Sequence, residues 1–185
     1  TFFKRRIIRL HPMVIMGSIV GAAFFYFQES PCFPPIENTS VGTMLLVMLL
    51  GCTLLPLPLK FDIRGWTEMH PLNGPAWSLY YEYIGNILYA LFVRKFNKVA
   101  LSVLVFVAGC FTVYRCLTAP AGDIVGGWAL NWEQQYVGMV RLMYPFFGGL
   151  LLSRLGWLIR LEKRAFWWCS LLIVVVLSIP RIGGE

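Results

Sequence analysis

The chain has 185 residues, 58% hydrophobic and 14% charged, with a net charge of +7 and a mean hydropathy of +0.67. Soluble domains sit near half apolar and a quarter charged, so this composition argues against one and makes lipid the expected solvent. The bases cluster where helices should meet the cytoplasm, so positive-inside anchoring accounts for the charge and no nucleic-acid partner is expected.

In lipid an apolar run must satisfy its own backbone, as a helix or within a closed barrel. The runs here lack period-2 alternation, which excludes a barrel. The predicted class is all-α, a polytopic transmembrane bundle with about five or six membrane helices.

The first candidate helix covers residues 10–27 and follows the basic run Lys4, Arg5, Arg6 and Arg9. A polar loop with Pro31, Cys32, Pro34, Pro35, Glu37 and Asn38 comes next. The second candidate, 41–55, is short and is closed by Pro56 and Pro58. A charged connection, 60–75, carries Asp62, Arg64, Glu68 and His70. Helices over 76–93, 99–117, 137–152 and 166–179 complete the series, with Arg94 and Lys95 closing the third. The second and last are marginal against the roughly 20 residues a span requires.

Basic groups at 4–9, 94–98 and 154–164 belong in the cytoplasm, and the loops at 28–40 and 118–136 suit the outside. That assignment needs an odd number of crossings between 28 and 94, where two candidates stand. Either the 41–55 segment is re-entrant or one basic loop violates the rule. The re-entrant reading is preferred and places the 41–75 region near the site, because irregular backbone at membrane depth is tolerated where it lines a protein cavity. The chain opens at Thr1 without a signal-peptide pattern and stops at Glu185 just past an apolar run, as expected of a piece of a longer protein.

Three groups of residues could carry chemistry. Arg6 and Arg9, three apart, share a helix face and could grip a polyanion with guanidinium forks, or simply anchor the helix. Ser78, Glu82 and Asn86 recur every four residues and form a polar stripe on an apolar helix that Pro75 opens. An acid inside a membrane helix costs about 2.5–3.5 kcal/mol on insertion scales, so Glu82 should face the bundle interior with a partner, functional or structural. Arg141, about one turn into its helix, could pair with Glu82 or an anionic substrate group, or could snorkel to the interface. Gly148 and Gly149 beyond it would allow close helix contact.

His11 and His70 read as solvated or interfacial residues rather than bases. The five cysteines show no metal-ligand spacing, and no metal site is expected. P-loop, dinucleotide, HExxH and GxSxG patterns do not occur.

These motifs resemble the acyltransferase-3 family of multi-spanning sugar O-acyltransferases. The segment Lys4-Arg5-Arg6-Ile7-Ile8-Arg9-Leu10-His11-Pro12 resembles its Arg-x-x-Arg region, and Trp77-Ser78-Leu79-Tyr80-Tyr81-Glu82 resembles its Trp-Ser-Leu-x-x-Glu signature. Arg141 with Phe147, Gly148 and Gly149 resembles a looser Arg…Phe-x-x-Gly pattern.

The resemblance implies transfer of an acyl group, usually acetyl, from cytoplasmic acyl-CoA to a hydroxyl of a surface polysaccharide or lipid-linked sugar. By position, Arg5, Arg6, Arg9 and Trp77 would engage the acyl-CoA donor, and Glu82, Ser78 and Arg141 would form the transfer site. The family's key histidine lies in a first helix that would precede Thr1, so the chain reads as the central part of a longer domain and as inactive alone. A multi-pass protein of the bacterial inner membrane is implied, with acyl-CoA, a carbohydrate acceptor and the bilayer as partners. The alternative from the residues alone is a transporter or flippase for an envelope sugar or lipid intermediate.

Overall fold

A computed structural model describes residues 2–28, 37–120, 122–156 and 165–179. The loop prolines and Cys32, and the bases Arg160, Lys163 and Arg164, lie outside the described residues. The described residues form six α-helices and no strand: α1 (Phe2–Phe27), α2 (Val41–Gly51), α3 (Ala76–Leu91), α4 (Lys98–Thr118), α5 (Trp132–Leu155) and α6 (Ala165–Ser178). Three stretches, Lys4–Phe27, Lys98–Thr118 and Trp132–Leu155, are long and apolar enough to cross a membrane. Two compact units are present, 1–151 and 152–185, and α6 belongs to the second.

Helix α1 begins eight residues before the predicted start and carries the basic run within it, with Pro12 inside. Arginine, lysine and isoleucine form helices readily enough to extend it N-terminally. At 26 residues it is about 39 Å long and serves as the spine for α2 and α3. The Ser40 hydroxyl caps α2 by accepting from the Thr43 N–H at 3.2 Å. The helix stops at Gly51, short of the predicted 55, because Cys52–Leu54 form a turn in which Leu54 adopts a positive φ of 60°.

Both α2 and α3 run antiparallel to α1, one beside each half. Phe25 packs with Met44 and Val47, and Gly51 comes opposite Ser18. Farther toward the α1 N-terminus, Val14 packs with Ala76, and Arg6 meets Glu82. The connection between them folds back against α1, placing Leu57, Ile63 and Leu72 around Ala22 and Phe25. Gly21 is required there: a Cβ at that position would collide with the Leu72 carbonyl oxygen. The Asn73 amide donates to the Val14 carbonyl at 3.3 Å, tying the end of the connection to the middle of α1.

Helices α2 and α3 are about 16 and 24 Å long. End to end they match α1, so together they run its length once. They follow one another along α1 in one direction, as the two halves of an interrupted helix would.

Helix α5 runs alongside α3 in the same direction: Tyr81 seats on Gly138, and a Cβ on Gly85 would lie 3.1 and 3.3 Å from the Leu142 and Phe146 side chains. Helix α4 opposes both, with Leu101 beside Phe147 and Val93 at one end and Arg115 3.8 Å from Glu133 at the other. The Met69 N–H donates to the Trp128 carbonyl at 2.7 Å, fastening the α2–α3 connection to the loop before α5. The N-terminus of α1 and the Arg94–Lys98 turn therefore share one end of this unit.

Candidate functional site

An open cleft of about 420 Å³ lies between α3 and α5, lined by Trp77, Ser78, Tyr81, Glu82, Gly138, Arg141, Leu142, Pro145 and Phe146. Its size falls within the range of small-molecule sites. The local reason for its position is helix spacing. Residues 77, 78, 81 and 82 sit at i, i+1, i+4 and i+5 on α3, and 138, 141, 142 and 145 sit at i, i+3, i+4 and i+7 on α5, so one stripe of each helix faces the gap.

Glu82 is half-buried, and its Oε1 lies 3.8 Å from Nη1 of Arg6. The basic face of α1 and the motif-bearing face of α3 thus meet at a charge pair on the edge of the cleft. Arg5 and Arg9 are exposed. A second basic cluster, Arg94, Lys95 and Lys98, stands at the same end.

Arg141 does not pair with Glu82. Its guanidinium stacks on the Trp77 ring at 4.5 Å and Nη1 donates to the Gly126 carbonyl at 2.7 Å. A planar guanidinium satisfies both contacts at once, and Arg6 takes the place of counter-ion to Glu82. Gly126, with φ 139°, and Gly127, with φ 105°, let the loop backbone approach closely enough for this. A Cβ on Gly127 would lie 3.3 Å from the Trp77 ring and 3.1 Å from Gly138 Cα.

The Ser78 hydroxyl donates to the Pro75 carbonyl at 2.8 Å, a bond within the first turn of α3. Asn86 completes the stripe but is buried, its amide donating to the Glu82 carbonyl at 2.8 Å while Oδ1 has no partner.

His70 corrects its sequence reading. It is not solvated: it is 3% exposed, and neither ring nitrogen has a hydrogen-bond partner. It borders a small crevice shared with Ser18, Gly51 and Asn73, where the Ser18 hydroxyl is also unpartnered. The connection's docking on α1 buries it, and a polar-looking loop in sequence carries no sign of that docking. Tyr81, at a position the motif leaves variable, lines the cleft, and its buried hydroxyl is also unpartnered. His11 is half-buried within α1.

What the cleft can do chemically is hold an oxygen-rich ligand between a carboxylate, the Arg141 guanidinium and aromatic faces, with Arg6 at its edge. Comparison with known proteins is consistent with that chemistry. Residues 1–184 match the family model described as an acyltransferase domain. The chain is 30% identical over 94 residues to "Protein 2 in picA locus" of Rhizobium radiobacter, a match covering 48% of this chain and 48% of that relative. No solved structure matches. With nearly its whole length matched, this chain belongs to the acyltransferase-3 family.

Proposed function

We propose that the protein is a membrane-embedded O-acyltransferase that moves an acyl group, acetyl in the simplest case, from cytoplasmic acyl-CoA to a hydroxyl of a surface polysaccharide or lipid-linked sugar. The observation that carries this reading is the meeting of Arg6 and Glu82 beside a cleft bearing Trp77, Ser78 and Arg141. A donor with several phosphates needs cations, and Arg5, Arg6 and Arg9 supply them from one end of α1. The reaction needs a group that takes the acceptor's proton, and Glu82 orients or charges that base. Arg141, held flat on Trp77, presents its remaining N–H groups to the ligand.

In this reading the shared basic end of α1 and the α3–α4 turn faces the cytoplasm, following the rule for positive loops. The membrane is the bacterial inner membrane, where acyl-CoA is available on one side and surface glycans are built. Family membership favours group transfer over the transporter alternative.

The test is mass spectrometry of surface glycans from cells with the intact gene, without it, and with the Glu82→Gln variant. The expected result is loss of O-acyl groups in the last two with normal membrane abundance of the variant. Unchanged acylation in the deletion strain refutes the proposal.

A further inference from the structure

We infer that Tyr81 is the hydrogen-bond donor to the acyl carbonyl oxygen during transfer. The inference rests on the acyl-transfer reading of the cleft and adds a residue to it. Tyr81 is 2% exposed, and its hydroxyl has no partner. The ring packs edge-on against Trp77 at a centroid distance of 6.1 Å and against Tyr80 at 5.2 Å. Its tip rests on Gly138, where a Cβ would collide with both ring and hydroxyl.

Two local choices here work against stability. Phenylalanine at 81 would fill the same ring volume without desolvating a hydroxyl, and a buried polar group left unpaired is destabilising. Alanine at 138 would be a better helix former than glycine, which loses more conformational freedom on folding. Both choices fall on the wall of the cleft. A function for the hydroxyl accounts for them together.

The neighbours narrow that function. The other hydroxyl lining the cleft, Ser78, is committed to the Pro75 carbonyl. Glu82 as a carboxylate accepts hydrogen bonds and donates none. Beside the remaining N–H groups of Arg141, Tyr81 is thus the cleft hydroxyl with a proton still to give. In acyl transfer the acceptor hydroxyl oxygen bonds the thioester carbon, and the carbonyl electron pair moves onto oxygen as an alkoxide. When the carbonyl re-forms, the carbon–sulfur bond breaks. The sulfur leaves as a thiol with the proton that the acceptor gave up, and an ester remains. The alkoxide is where negative charge develops, and a preorganised neutral donor there lowers the barrier.

The experiment compares the full-length protein with its Tyr81→Phe variant. Expected are a thermal midpoint equal to or above wild type, a kcat lower by about 10²–10³-fold, and a KM for acyl-CoA changed by less than about threefold. As a readout that packing alone would not move, inhibition by acetonyl-CoA, which keeps the carbonyl, is compared with inhibition by S-propyl-CoA, which lacks it. Wild type should favour the carbonyl-bearing analogue, and Tyr81→Phe should lose the preference. Wild-type turnover and an intact preference in an otherwise active Tyr81→Phe protein overturn the assignment alone. A lowered thermal midpoint with both analogues weakened equally also overturns it, in favour of a packing role. A full-length wild-type protein that transfers acyl groups to no hydroxyl acceptor overturns the reading of the cleft along with it.

Discussion

Replacing Glu82 by glutamine separates a functional charge pair from a structural one. Arg6 and Glu82 are 3.8 Å apart with both side chains 34% exposed. Two unit charges at that distance attract by about 4 kcal/mol at an effective dielectric constant near 20. Exposure, a separation beyond hydrogen-bond length and the entropy of two long side chains reduce this to about 0–1 kcal/mol. A double-mutant cycle over Arg6→Gln and Glu82→Gln, followed by thermal unfolding in detergent, should therefore give a coupling below about 1 kcal/mol and a midpoint shift of only a few degrees. Acyl transfer by the full-length Glu82→Gln protein should fall by about 10²–10⁴-fold, the range for loss of positioned acid–base chemistry. A coupling of about 3 kcal/mol or more would mean that the pair holds the bundle together as a desolvated ion pair does. That result, or undiminished transfer in a well-folded variant, refutes the reasoning.

Two other perturbations test the architecture. Gly21→Ala should lower the thermal midpoint by the equivalent of about 1–3 kcal/mol, since backbone stands on both sides of the collision and cannot rotate away. Gly149→Ala, which meets nothing within 4 Å, should be neutral or stabilising, and equal effects at the two sites would contradict the packing described. If α2 and α3 make one interrupted crossing, single cysteines placed at Lys4 and Lys95 in a cysteine-free background should react with an impermeant thiol reagent from the same side of sealed vesicles. A cysteine at Asp123 should react from the opposite side. Labelling of Lys4 and Lys95 from different sides would rule that topology out.

Much of this was legible in the sequence because hydropathy and spacing report on faces. Apolar runs marked every helix among the described residues, and the four-residue recurrence of Ser78, Glu82 and Asn86 marked one stripe of α3. Partners across helices were not legible. A period locates a face but does not name the helix that meets it, so the pairing of Glu82 with Arg6 and of Arg141 with Trp77 comes from the assembled bundle. The start of α1 was missed because a basic run marks an interface without marking where a helix begins. His70 was misread for a related reason: a loop rich in polar residues gives no sign that it will lie against Ala22 and Phe25. Tyr81 could have been singled out only by asking why a tyrosine rather than a phenylalanine stands between aromatic neighbours.

The glycine backing of Tyr81 sets a direction for how this cleft can diversify. Gly127 and Gly138 already carry the smallest side chain available, so substitution there can only crowd the Trp77 and Tyr81 rings. Room for a bulkier ligand has to be made farther along α5, by trimming Leu142, Pro145 or Phe146. Relatives that accept larger substrates should differ at those three positions and keep the two glycines.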